Sequence, residues 1–130
     1  MGQTRPVTVV LDAGALIAFE RGDAKMRALC REAQRSGARL VVPAGVVGQA
    51  VRDPSRQVAL RALLHAGTTQ VEPLTHALAE ACGVLCGRTK TRDVVDASVA
   101  LSARRHNAVV VTSDPKNLRR LDAQLKLETV

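Results

Sequence analysis

The chain has 130 residues, 46% of them apolar and 24% charged, which suits one ordinary globular domain with a sizeable core. Those proportions exclude a disordered or collagen-like chain. Nineteen Lys and Arg against twelve Asp and Glu leave +7; fifteen of the cations are Arg, so the expected partner is a polyanion met by bidentate contacts.

Taken in chain order, residues 7–11 (Val-Thr-Val-Val-Leu) are a β-branched run and read as a buried strand. Asp12-Ala13-Gly14-Ala15 then turns into a helix reaching about residue 20. A second helix is expected over about residues 24–35, stopped by Ser36-Gly37. Residues 39–42 form the next strand, ended by Pro43. Helical spacing follows over about 44–52, Pro54 punctuates it, and residues 57–65 continue as helix. Residues 69–71 suit a third strand. A helix over 75–86 opens on a Thr75 cap, residues 87–92 read as a loop, and a strong helix covers 94–106. Residues 108–111 are another buried strand, running into Thr112-Ser113-Asp114. A short helix over 116–121 and an edge strand over 125–130 complete the chain.

The strands are continuous Val/Leu runs, and they alternate with helices. That pattern predicts an α/β fold with a central parallel sheet of four to five strands, buried on both faces and flanked by helices. The composition is even, without repeat or linker, so residues 1–130 read as a single domain with its core over about 7–130. In open parallel sheets, ligands bind beyond the carboxyl ends of the strands.

Several function classes fall away. Phe19 is the sole aromatic residue, which argues against domains that stack bases on aromatic platforms. Cys30, Cys82 and Cys86 are an odd count and read as small buried hydrophobes; Cys82 and Cys86 lack a second Cys/His pair to complete a zinc site. His65, His76 and His106 read as solvated or snorkelling surface residues, and Ser98 and Ser102 as small residues on a packed helix. The apolar stretch over 7–19 is broken by Asp12, too short to span a membrane and without the pattern of a secretory leader, so no membrane association and a cytoplasmic location are expected.

The acids carry more information. Asp12 follows the most apolar strand, where it serves either as a helix N-cap or as a site carboxylate. Asp114, before Pro115, has the same two readings. Asp93 and Asp96 lie three apart at a helix start and share a face; they complement the helix dipole, but they also repel each other. Together these residues gather three or four carboxylates at one edge of one sheet. Such a cluster needs a divalent cation to remain ionised, and oxygen-only ligands select hard ions such as Mg²⁺ or Mn²⁺.

With these residues in view, the chain resembles the PIN-domain ribonucleases, in particular the VapC-type toxins of toxin–antitoxin pairs. The resemblance runs over nearly the whole chain. Its marks are Val-Leu-Asp12-Ala-Gly-Ala-Leu-Ile-Ala, Val-Val-Pro43-Ala-Gly-Val-Val-Gly-Gln49, Asp93-Val-Val-Asp96-Ala-Ser-Val-Ala-Leu, and Ala108-Val-Val-Val-Thr112-Ser-Asp114-Pro. It implies a PIN-like domain in which Asp12, Asp96 and Asp114 hold the metal and orient a water, Asp93 is an additional acid, and Thr112 supports them. The second family carboxylate is a Glu where this chain has Gln49. The neutral amide still offers an oxygen, but one charge fewer implies weaker metal binding. Asp53 and Glu20 are weaker substitutes.

The resemblance implies metal-dependent hydrolysis of RNA phosphodiester bonds by the toxin of a toxin–antitoxin pair. A small antitoxin and a second copy of the chain are the implied protein partners. Arg88, Lys90 and Arg92, just before Asp93, and Lys116, with Arg119 and Arg120 beyond it, read either as solvated charges or as a phosphate grip. One alternative is a catalytically weakened PIN-like protein that binds RNA or antitoxin, which Gln49 favours. Another is a receiver-like or dehalogenase-like phosphoryl-transfer domain. Against it, this chain has Asp12-Ala13-Gly14 where the dehalogenase pattern needs Asp-x-Asp.

Overall fold

The Val-rich runs form the middle of one parallel sheet. A computed structural model describes residues 7–130, so the first six residues of the expected domain lie outside the description. The strands are β1 (Thr8–Leu11), β2 (Arg39–Pro43), β3 (Thr69–Glu72), β4 (Val109–Thr112) and β5 (Lys126–Thr129). Their order across the sheet is β3-β2-β1-β4-β5, and every pairing is parallel. The inner strands bury Val10, Leu11, Leu40, Val41, Val42, Val110 and Val111. Burial on both faces is why these strands read as unbroken apolar runs. Each fully buried Leu contributes about 1.5–3 kcal/mol, and truncating Leu40 to Ala should cost about 2–5 kcal/mol. The edge strands instead expose Gln70, Lys126 and Glu128, which discourages pairing with another sheet.

Seven helices occur among the described residues: α1 (Ala13–Glu20), α2 (Ala24–Ser36), α3 (Ala44–Ala50), α4 (Val58–Leu64), α5 (His76–Thr89), α6 (Val94–His106) and α7 (Pro115–Leu121). The chain steps outward from β1 to β2 to β3, then returns to lay β4 on the other side of β1. Right-handed crossovers put the helices of the first two connections on one face and those of the last two on the other. Accordingly α1 packs on α2, α3 and α4, while α6 crosses β1, β2 and β4 beneath α5 and α7. Small residues let α6 approach the sheet: Ala97, Ser98, Ala100, Ser102 and Ala103 are all buried.

The helix starts follow local chemistry. Asp12, Asp23, Thr75 and Asp93 each accept the amide three residues on, at 2.9–3.2 Å. Gly37 ends α2 at φ 76, a left-handed posture that glycine adopts without steric cost.

Three sequence expectations need correction. Residues 87–92 are not all loop, because Gly87, Arg88 and Thr89 form the last turn of α5. The Thr89 hydroxyl satisfies the Leu85 carbonyl at 2.8 Å, and Lys90 takes the left-handed cap position at φ 56 in place of the usual glycine. A 3-10 turn over Pro54–Arg56, capped by Asp53, occupies the point where the sequence shows only punctuation. His106 is not simply solvated, since its ring hydrogen-bonds the buried Glu72 carboxylate at 2.6 Å. Cys30, Cys82 and Cys86 are buried and free, as their reading required. Among the described residues no helix is long and apolar enough to cross a membrane.

Candidate active site

The strand order reverses between β1 and β4, and their carboxyl ends open the crevice where such sheets bind ligands. The ladder runs one residue past β1, the Asp12 amide donating to the Val111 carbonyl at 3.3 Å. Asp12 therefore leaves the sheet beside Thr112, which is fully buried. A Cβ at Gly14 would stand 2.0 Å from the Ser113 hydroxyl oxygen and 3.2 Å from its backbone nitrogen. A larger residue there would have to turn the Ser113 hydroxyl aside and push back its Cβ and backbone, so glycine suits this close approach of α1 to the Thr112-Ser113-Asp114 segment.

Asp12 is 7% exposed. Burial pushes its carboxyl above the ordinary Asp range; the Thr112 hydroxyl and the Ala15 amide pull it back in part, and the Asp114 charge pushes it up again. Asp114 is exposed, and its amide donates to Thr112 Oγ1 at 2.9 Å. Its carboxylate accepts from Asn117 Nδ2 at 2.7 Å, one turn along α7. Asp93 caps α6 by accepting the Asp96 amide at 2.9 Å. Asp96 is pushed up to about 6, first by burial, then by the charges of Asp93, Asp12 and Asp114, and last by its hydrogen bond with Asp93. Acids from three chain segments thus act on one carboxyl group. Asp12 is both a helix cap and a neighbour of the other acids, and Asp93 caps α6 where the sequence pointed only to the helix dipole. Asp114 makes no capping bond.

Beside Asp93 and Asp96 lies a cleft of about 380 Å³, whose rim includes Lys90, Arg92, Asn117 and Arg120. Arg88, on the last turn of α5, and Lys116 are exposed but do not line it. Gln49 is exposed near the end of α3. One turn earlier, a Cβ at Gly45 would meet Val95 Cγ2 at 3.0 Å, so α3 lies tight against the start of α6. Asp53 and Glu20 are engaged elsewhere: Asp53 accepts Ser55 and pairs with Arg56, and Glu20 accepts the Gln57 amide at 2.9 Å. Sequence reasoning does not find Asn117, for which Asp114-x-x-Asn117 at helical spacing is the one signal. Nor does it find a second acidic centre. Buried Glu72 accepts Ser102 Oγ and His106 Nε2 and pairs with Arg105 at 2.7 Å. Its trace in the sequence is Ser102-x-x-Arg105-His106 on one helical face.

A family model described as PIN domain matches residues 9–124. The chain belongs to the PIN domain family. No curated protein matches it closely enough in sequence to count. Similar solved structures include VapBC2 of Rickettsia felis bound to a DNA fragment from their promoter, at TM-score 0.70 and 15% identity, covering 95% of this chain and 99% of that one. VapC20 of Mycobacterium tuberculosis, a sarcin-ricin loop cleaving toxin, matches at TM-score 0.67 and 17% identity over 90% and 95% of the two chains. VapBC-1 of nontypeable Haemophilus influenzae matches at 0.68 and 17%, over 95% and 98%.

PIN-domain nucleases generally use divalent metals, and the donor chemistry of this PIN domain fits one. Asp12, Asp93, Asp96 and Asp114 offer oxygen donors only, and their mutual repulsion at Asp96 is what a divalent cation relieves. Among the described residues, no three His, Cys, Asp or Glu side chains stand close enough together to hold a metal ion as they are placed. The arrangement is an acidic focus with Lys90, Arg92 and Arg120 on the rim of the cleft beside it.

Proposed function

We propose that this PIN domain is a metal-dependent ribonuclease, the toxin of a toxin–antitoxin pair. PIN domains are generally nucleases. The observation that carries the reading is the raised Asp96 carboxyl, surrounded by Asp12, Asp93 and Asp114 at the β1/β4 crevice. Asp12, Asp96 and Asp114, with Asp93 as an additional acid, would hold Mg²⁺ or Mn²⁺. When bound, that ion supplies charge stabilisation at a phosphoryl oxygen and a water of lowered pKa.

The remaining work falls to the chain itself. Thr112 fixes Asp12 and the Asp114 backbone, and Asn117 orients the Asp114 carboxylate. Lys90 and Arg92, with Arg88 and Lys116 further out, meet phosphates flanking the scissile bond. Without aromatic side chains there to stack bases, RNA binding should fall steeply with salt. The small antitoxin, the second copy of the chain and the cytoplasmic location belong to the same proposal. The similarity in fold to VapC20, described as a toxin, supports the toxin reading.

The test is incubation of a mixed RNA pool with purified protein in Mg²⁺, Mn²⁺ or EDTA, with Asp96→Asn as control. Cuts that need the metal and vanish in the variant are expected. Absence of cutting with retained metal binding would favour the second reading, a weakened RNA- or antitoxin-binding member, for which Gln49 is the specific observation.

A further inference from the structure

The opposite edge of the sheet carries a second basic hollow. A cavity of about 620 Å³ opens at the amino ends of the strands, with Thr8, Arg39, Arg105, His106, Asn107 and Lys126 in its wall and no Asp or Glu among its lining residues. Arg105 and His106 are tied to Glu72, which approaches from outside the lining. Arg39 and Lys126 have no acidic partner among the described residues. Arg39 donates to the Gln70 side chain at 3.0 Å, and Lys126 to Asn107 Oδ1 at 3.4 Å. Both are exposed, and a neutral partner leaves each full charge available to a ligand.

Their spacing is set by the sheet. Arg39 opens β2 beside Thr8, and Lys126 opens β5 beside Val109. Strands β1 and β4 lie between them, so their backbones stand about 14 Å apart at roughly 4.8 Å per strand. Backbones that far apart suit separate phosphates of an extended chain better than one compact anion. The hollow has no aromatic lining, so it offers nothing for a base to stack on.

We infer that this edge is a second RNA-binding site, which grips backbone phosphates of a long substrate on the side of the molecule away from the catalytic cleft. The inference rests on the ribonuclease reading for the identity of the polyanion. Its role is anchoring, so it acts on affinity for long RNA and leaves the reacting phosphate untouched.

The experiment uses the full chain with Arg39→Ala and Lys126→Ala combined. Neither side chain holds the core, and circular dichroism checks the fold. Binding of a long single-stranded RNA is followed by fluorescence anisotropy in EDTA over a salt series. Cleavage of the same RNA and of a trinucleotide is measured with Mn²⁺. The double variant should show a log–log salt slope shallower by about 1.4, since each phosphate no longer neutralised removes about 0.7. KM for the long RNA should rise with kcat unchanged, and trinucleotide cleavage should match wild type. Unchanged affinity and slope overturn the inference, even where cleavage upholds the nuclease. A lowered affinity and slope with no cleavage by either protein would overturn the nuclease reading and uphold this site. If the wild-type chain binds no RNA, both fall.

Discussion

Glu72, at the end of β3, and Asp96, in the first turn of α6, are both drawn out of water, but Glu72 is ringed by donors and Asp96 by other acids. Burial alone pushes the Glu72 carboxyl up. The Ser102 hydroxyl, the His106 ring and the Arg105 guanidinium together more than reverse this, and the group titrates below the ordinary Glu range. At Asp96 burial and neighbouring charge act in the same direction, to about 6. One acid is balanced by donors within the chain, and the other is not. Under the proposed function the difference separates an acid kept for the fold from an acid kept for a ligand, which neither burial nor residue type does alone.

The comparison breaks most visibly in activity. Asp96→Asn should cut metal-dependent RNA cleavage on the order of a thousandfold, while Glu72→Gln should leave the rate per folded molecule near wild type. A single-turnover assay of both variants checks this; a Glu72→Gln enzyme as dead as Asp96→Asn would erase the distinction.

Stability should rank the pair the other way. Glu72→Gln should cost about 1–3 kcal/mol in urea unfolding, because Arg105 and His106 lose the charge that holds them. Asp96→Asn should gain about 1–2 kcal/mol at pH 7 without metal, allowing for part exposure to water.

The pH dependence sharpens the contrast. The folded-state pKa of Asp96 lies above its unfolded value of 3.8, so the folded chain binds that proton more tightly. Its stabilising contribution is full below pH 3.8 and is lost as pH rises through about 6. The folded pKa of Glu72 lies below its ordinary 4.5, so its contribution is present above 4.5 and is lost as pH falls through the lower folded value. Thermal melts in EDTA across the acid-to-neutral range should show Asp96→Asn flattening the upper limb and Glu72→Gln the lower.

The smallest expected effect is at Gln49. Gln49→Glu should tighten Mn²⁺ binding several-fold in calorimetry by adding a charge to the acidic side. An unchanged or weaker affinity would show that α3 does not contribute to the focus.

These two acidic centres are not equally legible in the sequence. The Asp cluster is readable because each member stands at a punctuation mark, the end of an apolar strand or the start of a helix, and because parallel topology sends strand ends to one edge. Asp12, Asp96 and Asp114 also lie in motifs that resemble a known family. Glu72 ends a short edge strand with no periodic signal, and its partners come from a helix 30 to 34 residues later. The helical spacing of Ser102, Arg105 and His106 groups the partners, but nothing local points from them to Glu72. The alternation of strands and helices points to the parallel sheet, and Gly37 marks its helix end openly. The extra turn of α5 is hidden because Lys90 replaces glycine at its cap.

Lys90 has a wider consequence. For a residue with a Cβ, the left-handed posture is strained by about 1–2 kcal/mol, and glycine would relieve it. Yet this elbow sets an ammonium-bearing side chain at the mouth of the cleft, one helix start away from Asp93. A chain drifting under selection for folding alone would exchange this lysine for glycine and lose one cation from its rim. Under the proposed function the elbow is therefore a place where robustness and attraction for phosphate pull against each other, and where Lys90→Gly should make the molecule more heat-tolerant and a poorer binder of RNA.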